Sequence, residues 1–151
     1  MLDRARVEVV GKKMKRCRRK GRRHDCGPSW NWVGPHLAEV QHRPYSCIYA
    51  HPVDGKQLLI TYPAAKLGRS LVLHTGIDDF ENRKRAKAKV RMQIFVGAEL
   101  LQSVRHENDW PWTRSKIDTS KYAGQTGKVR FEVSSERAYA RTFCFWAEAR
   151  K

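Results

Sequence analysis

The sequence predicts an all-β fold: a jelly-roll β-sandwich of about eight or nine strands with a basic N-terminal hairpin or loop. Three observations predict it. Apolar residues recur with a period of two in several short runs, turn residues separate those runs at regular spacing, and no segment joins a 3.6-residue apolar period to helix caps. In the clearest run Val90, Met92, Ile94 and Val96 share one face, with Lys89, Arg91 and Gln93 on the other. A second run alternates Val129, Phe131 and Val133 with Lys128, Arg130 and Glu132.

In chain order, residues 5–10 (A-R-V-E-V-V) form a first strand ending at Gly11. Residues 12–30 are a basic loop or hairpin with Gly21 near its middle and Cys17 and Cys26 near its two arms; a Cys17–Cys26 bridge would hold its positive charges together. Residues 37–50 hold one or two short strands interrupted at Arg43-Pro44, and 51–55 are a turn. A strand over 57–62 leads through a connector at 63–68 to another at 69–75, closed by Gly76. Residues 78–87 are a charged loop; a short basic helix over 80–90 fits by composition but lacks an apolar stripe. Residues 90–96 and 99–104 pair as a hairpin around Gly97-Ala98, and 106–111 form a polar, aromatic loop. The run D-T-S-K-Y-A-G at 118–124 is a compact turn, with Gly124 at positive φ and Tyr122 docked on the core. In the last strand, 143–149, Trp146 is out of phase with Phe143 and Phe145, so one face needs cover or a partner.

The 151 residues make one domain, with 1–36 a basic strand-and-loop extension and 37–151 the sandwich; a chain of this length buries roughly 70% of its unfolded surface. No apolar run approaches the ~20 residues of a membrane span, and the first ten residues carry no secretory apolar region. The chain reads as soluble as it stands, and as compatible with release from a longer precursor or a membrane-anchored protein. Net charge is +16, from 31 Lys and Arg against 15 Asp and Glu. Such a field attracts polyanions: nucleic acid, anionic lipid, acidic or phosphorylated glycans. Four cysteines (Cys17, Cys26, Cys47, Cys144) allow two disulfides in three connectivities, or four reduced thiols in a cytoplasmic protein; without a C-x-x-C pair they do not form a zinc knuckle.

Around W-x-x-x-x-I-D-T-S-x-Y-A-G-x-x-G-x-V-x-F-E-V, which starts at Trp112, the chain resembles the galactose-binding-like jelly-roll superfamily, which includes carbohydrate-binding modules and discoidin-type domains. The matching features are Trp112, the turn from Asp118 to Gly124, the strand from Val129 to Val133, the last strand, and the hairpin V-R-M-Q-I-F-V-G-A-E-L-L; together they cover about residues 45–149. The resemblance implies that Trp112 and Tyr122 are core anchors. It also implies that the first and last strands of the domain lie together, which pairs Cys47 with Cys144 and leaves Cys17 for Cys26. Two bridges imply an oxidising, extracytoplasmic compartment, periplasmic or secreted. One scaffold in this superfamily serves sugar, lipid and protein binders, so the fold leaves the ligand open.

No catalytic set is evident. The six histidines fall in no H-E-x-x-H frame, and there is neither G-x-S-x-G nor a phosphate-cradling glycine loop. Asp78, Asp79 and Glu81 are a candidate calcium loop, set against the plainer reading of an acidic tip offsetting Arg83, Lys84 and Arg85; no other cofactor is expected. Three features point to binding. The arm residues Lys12, Lys13, Lys15, Arg16, Arg18, Arg19, Arg22 and Arg23 suit a polyanion. Arg83, Lys84, Arg85 and Lys87 run into Lys89 and Arg91 on a strand, an anion strip. Trp30, Trp32 and Trp110 offer flat rings to sugars or bases, with His106 and Asn108 beside Trp110 at one loop end. The expectation is a non-catalytic binding module for an anionic glycan or envelope surface. The alternatives are a nucleic-acid-binding protein using the basic arm, and an assembly domain docking an acidic protein partner.

Overall fold

In the computed structural model, residues 4–79, 89–138 and 141–151 are described. They form two antiparallel sheets packed face to face. The strands are β1 (Arg6–Val10), β2 (Met14–Arg16), β3 (Arg18–Lys20), β4 (Arg23–Asp25), β5 (Trp32–Val40), β6 (Arg43–Ala50), β7 (Gln57–Lys66), β8 (Ser70–Ile77), β9 (Val90–Val96), β10 (Glu99–His106), β11 (Thr113–Asp118), β12 (Thr126–Ser135) and β13 (Phe143–Arg150). One sheet has the order β10-β9-β12-β7-β1-β2, the other β11-β8-β13-β6-β5-β4-β3. The all-β sandwich expected from the alternating pattern is the fold found. No helix among the described residues is long and apolar enough to cross a membrane.

The core forms where the two inner faces meet. Val129, Phe131 and Val133 of β12 and Met92 and Ile94 of β9 face Phe143 and Phe145 of β13 and Leu71, Leu73 and Ile77 of β8, all buried. The Phe131 and Phe145 rings touch across the gap, with centroids 5.2 Å apart. β12 and β13 are interior strands, each paired on both sides. Burial of a Phe, Ile or Leu contributes about 1.5–3 kcal/mol, so this double layer outweighs every polar contact in the fold.

More strands are present than the sequence reading counted, because short or mixed-polarity strands carry little periodic signal. The basic segment divides into β2, β3 and β4. β2 extends the six-stranded sheet beside β1, β4 joins β5 in the other sheet, and the chain crosses between layers at Cys17. The segment is thus built into the edges of both sheets, and position 36 lies inside β5. Three local readings are corrected. The connector at 63–68 is largely β7, which runs through Pro63 to Lys66. Gly76 lies inside β8 and does not close it. β5 begins at Trp32, before the alternation becomes readable. The short basic helix considered over 80–90 lies almost wholly outside the described residues.

Both disulfides join the expected partners, Cys17–Cys26 and Cys47–Cys144, and leave no free cysteine. Such bridges persist in oxidising compartments. The 118–124 turn also forms as read: Gly124 has φ +78°, the Ser120 amide donates to Asp118 Oδ1, and the Tyr122 ring packs on the core while its hydroxyl donates to Glu99 at 2.6 Å.

Cys47 and Cys144 are 97 positions apart, and cross-linking so distant a pair removes much of the unfolded chain's freedom. Replacing both by Ala is expected to lower the unfolding free energy by about 2–5 kcal/mol in urea denaturation. A loss below 1 kcal/mol would mean that the sheets alone hold β6 against β13.

Candidate functional site

The outward faces of the two sheets differ in chemistry. On the six-stranded sheet, side chains pair as ions: Arg6 with Glu8 at 2.5 Å and Arg130 with Glu132 at 2.7 Å, the Arg130 guanidinium also lying 4.5 Å from the Phe95 ring centre. The seven-stranded sheet presents aromatic rings. The period of two that buries Phe143 and Phe145 turns Cys144 and Trp146 outward, and the same register turns out Tyr45, Cys47 and Tyr49 on β6, Trp32 and His36 on β5, and His74 on β8.

These rings gather at two stations. At the first, Trp32 stacks on Tyr49, with centroids 4.1 Å apart and planes 13° apart, and His36 meets both edge-on. The Tyr49 hydroxyl donates to the Trp30 carbonyl at 2.8 Å, the Arg23 guanidinium sits 5.6 Å from the Trp32 ring centre, and His36 Nε2 is 3.7 Å from an Asp78 oxygen. At the second, Trp112 stacks between Tyr45 and His74, with centroid distances of 4.8 and 6.1 Å. Tyr45 and Tyr49 are four residues apart on β6, so the stations lie about 13 Å apart along the strand. The Cys47–Cys144 bridge lies between, packed with Ala38, Val40 and Tyr49. Trp146, 40% exposed, neighbours His74 across the β13–β8 ladder.

A glycine makes room for each tryptophan. A Cβ at Gly76 would come within 2.6 Å of the Trp112 ring, and one at Gly34 within 3.1 Å of the Trp32 ring and 2.8 Å of Arg23 Cβ. Glycine inside a strand weakens it, and close approach of a ring is a physical reason to keep it there. Trp112, expected as a core anchor, is partly buried and packs on the smaller cluster of Ala38, Val40, Cys47, Tyr49 and Cys144, on the outer side of the sheet where Gly76 leaves room for its ring.

The face is also polar. Arg114 and Lys116 of β11 pair in register with His74 and Val72, which sets their exposed side chains beside the second station. Burial depresses the His74 pKa, Arg114 depresses it further, and Glu148 opposes both. His74 is therefore a neutral hydrogen-bonding group near pH 7. Glu148 is engaged by Arg150 at 2.8 Å.

The residues singled out in the sequence disperse. Trp32 belongs to the first station, and Trp30, 46% exposed, packs against His51 at its edge. Trp110, 38% exposed, meets His106 edge-on in the 106–111 loop. His106 was expected to line that loop; it is only 1% exposed and its Nδ1 lies 3.3 Å from Thr75 Oγ1. It is a core residue, because its position at the end of β10 faces the layer between the sheets. Asn108 accepts a hydrogen bond from Arg141. Lys89 pairs with Glu107 at 3.1 Å, and Arg91 is exposed beside Arg105 on the six-stranded sheet, across the sandwich from the aromatic face. Arg83, Lys84, Arg85, Lys87 and Glu81 lie outside the described residues. Asp79 accepts the amides of Gln41 and His42 at 2.9 and 2.8 Å, and Asp78 accepts that of Glu39 at 3.3 Å. These carboxylates hold the β5–β6 turn, whose two central residues have positive φ (48° and 61°). Tyr45, Tyr49, His36, His74 and the two glycines do not stand out as site residues in the sequence. The available signals were W-x-G-x-H at 32–36 and a glycine inside an otherwise apolar strand at 76.

No protein-family model matches this chain, and no curated protein matches it by sequence. Solved structures do match. One is the CBM51 from Clostridium perfringens GH95 in complex with methyl-galactose: 12% identity, 72% of this chain and 74% of that one, TM-score 0.50. Another is the M60 catalytic domain with the CBM51-1 and CBM51-2 domains from Clostridium perfringens ZmpB: 14% identity, 96% of this chain and 17% of that one, TM-score 0.59. These likenesses show the fold: a two-sheet antiparallel β-sandwich.

Two measurements check the site's construction. Gly76→Val should displace Trp112, changing the near-ultraviolet circular dichroism and lowering stability by about 1–3 kcal/mol. An unchanged spectrum would contradict the close packing. The second concerns His106, whose folded pKa burial lowers to about 4 against the ordinary 6.5. The unfolded chain then binds the extra proton, so unfolding free energy falls as pH drops from about 6.5 towards 4 and levels off below. His106→Gln should flatten that part of the curve in urea titrations at stepped pH.

Proposed function

We propose that the protein is a non-catalytic glycan-binding module that acts outside the cytoplasm, in the periplasm or as a secreted protein. Its binding surface is the aromatic face of the seven-stranded sheet. One observation carries this reading: a β-sheet face with two stacked aromatic stations and the exposed Trp146, set among Arg23, His36, His74, Arg114 and Lys116. Sugar rings have apolar faces rimmed by hydroxyls. Aromatic planes cover the former, and charged or neutral polar side chains hydrogen-bond the latter. The likeness to carbohydrate-binding modules and the two disulfides support the same reading.

The preferred ligand is an anionic glycan of a cell envelope or extracellular matrix. Arg114 and Lys116 complement acidic groups beside the second station, and the +16 net charge favours encounter with an acidic surface. Calcium has no part in this proposal.

Trp146→Ala is the cleanest test, because that ring is exposed and its loss leaves the core intact. On an array of neutral and acidic glycans, the wild type should bind acidic members, and Trp146→Ala or Trp32→Ala should weaken binding about tenfold or more. Arg114→Gln with Lys116→Gln should reduce preference for acidic over neutral members. Absence of glycan binding, or equal affinity in the tryptophan variants with melting temperatures preserved, defeats the proposal.

A further inference from the structure

The basic segment builds a concavity that the aromatic face does not use. Ala5, Arg6, Arg16, Cys17, Arg18, Arg19 and His24 line a space of about 420 Å³ where the chain crosses from one sheet to the other. Arg6, Arg16, Arg18 and Arg19 bring like charge to this one hollow, Arg6 being paired with Glu8 and Arg19 donating to the Gly21 carbonyl at 3.3 Å, and such a setting attracts anions. Among the described residues, two carboxylates near this hollow are committed to other partners. Glu8 is engaged by Arg6 at 2.5 Å, and Asp25 by Arg23 at 3.0 Å and Lys20 at 3.8 Å. Among the described residues, Arg16 and Arg18 make no ion pair.

The corner is also braced. The Cys17–Cys26 bridge is buried, the Cys17 amide donates to the Val7 carbonyl at 2.9 Å, and the Cys26 amide donates to the Asn31 carbonyl at 2.9 Å. The wall carrying Arg16 and Arg18 is therefore fixed on both sides of Cys17. A solvated run of charge needs no such bracing, whereas a binding pocket gains affinity from it, since less freedom is lost on binding.

We propose that this concavity is a dedicated oxyanion pocket that takes the sulfate or phosphate ester group of a ligand. Arg16 and Arg18 are its principal donors, and Arg6, Arg19 and His24 form its walls. Guanidinium groups match tetrahedral oxyanions by paired, charge-assisted hydrogen bonds. The pocket stands apart from the aromatic face and does not depend on that face binding a glycan.

Calorimetric titration of the full chain with inorganic sulfate, inorganic phosphate, and a monosaccharide in sulfated, phosphorylated and unsubstituted forms tests it. The expected result is saturable binding of the oxyanion and of at least one ester. The preferred ester identifies the group, and the unsubstituted sugar gains nothing at this site. Arg16→Gln with Arg18→Gln should weaken oxyanion binding about tenfold or more. Lys12→Gln with Lys13→Gln removes the same charge outside the concavity and should leave affinity within about twofold. Cys17→Ser with Cys26→Ser should weaken binding without altering charge, and thermal melts confirm that the arginine variants remain folded. Trp146→Ala should leave oxyanion binding intact, which separates this pocket from the aromatic face. Failure of the wild type to bind any oxyanion, or equal losses in the lysine and arginine variants, overturns the proposal and leaves only unspecific attraction.

Discussion

The structure depends on the contact between two strands that are neighbours in sequence and opposite each other in space. β12 and β13 each lie inside a different sheet, and their alternate apolar side chains meet at Phe131 and Phe145. Burying Phe143 and Phe145 decides the orientation of everything else on β13. Cys144 and Trp146 must then point outward, since a strand has only two faces and a slip of one residue would exchange them. The outer face of the seven-stranded sheet inherits its disulfide and its exposed tryptophan from a choice made in the core.

That outer face has a layer of its own. The Cys47–Cys144 bridge, Ala38, Val40 and Tyr49 are buried there under Trp32, Tyr45 and Trp112, outside the main core. Gly34 and Gly76 open the space into which Trp32 and Trp112 settle. The opposite sheet holds its outer side chains by neighbouring ion pairs, which are exposed in part and contribute little stability. A ring layer retained on one face only, with Trp146 left 40% exposed, is the chemical asymmetry from which a binding surface is argued.

Much of the scaffold was legible because burial on one face writes itself into a strand as period two. The runs at 90–96 and 129–133 announced their strands and inner faces, and the turn at 118–124 announced its glycine. Strands that lie at edges or run through prolines were less visible: β2, β3 and β4 bury almost nothing, and the end of β7 alternates poorly. Among candidate site residues, only Trp32 and its neighbour Trp30 fell where the rings gather. The 106–111 loop was read as a unit, yet it divides, with His106 in the core and Trp110 outside, because residue type alone does not tell which end of a strand faces inward.

By itself the sequence determined the all-β class, the main strand faces, the positive field of the basic arm and an even count of cysteines. These are local or additive properties, readable from spacing and count. Only the tertiary structure decided that Trp32, Tyr45, Tyr49, His74 and Trp112 share one surface, that glycines 34 and 76 make room on it, and that Arg16 and Arg18 border a braced hollow. The residues of each group come from strands distant in sequence, and their assembly depends on sheet order and register, which no local pattern encodes.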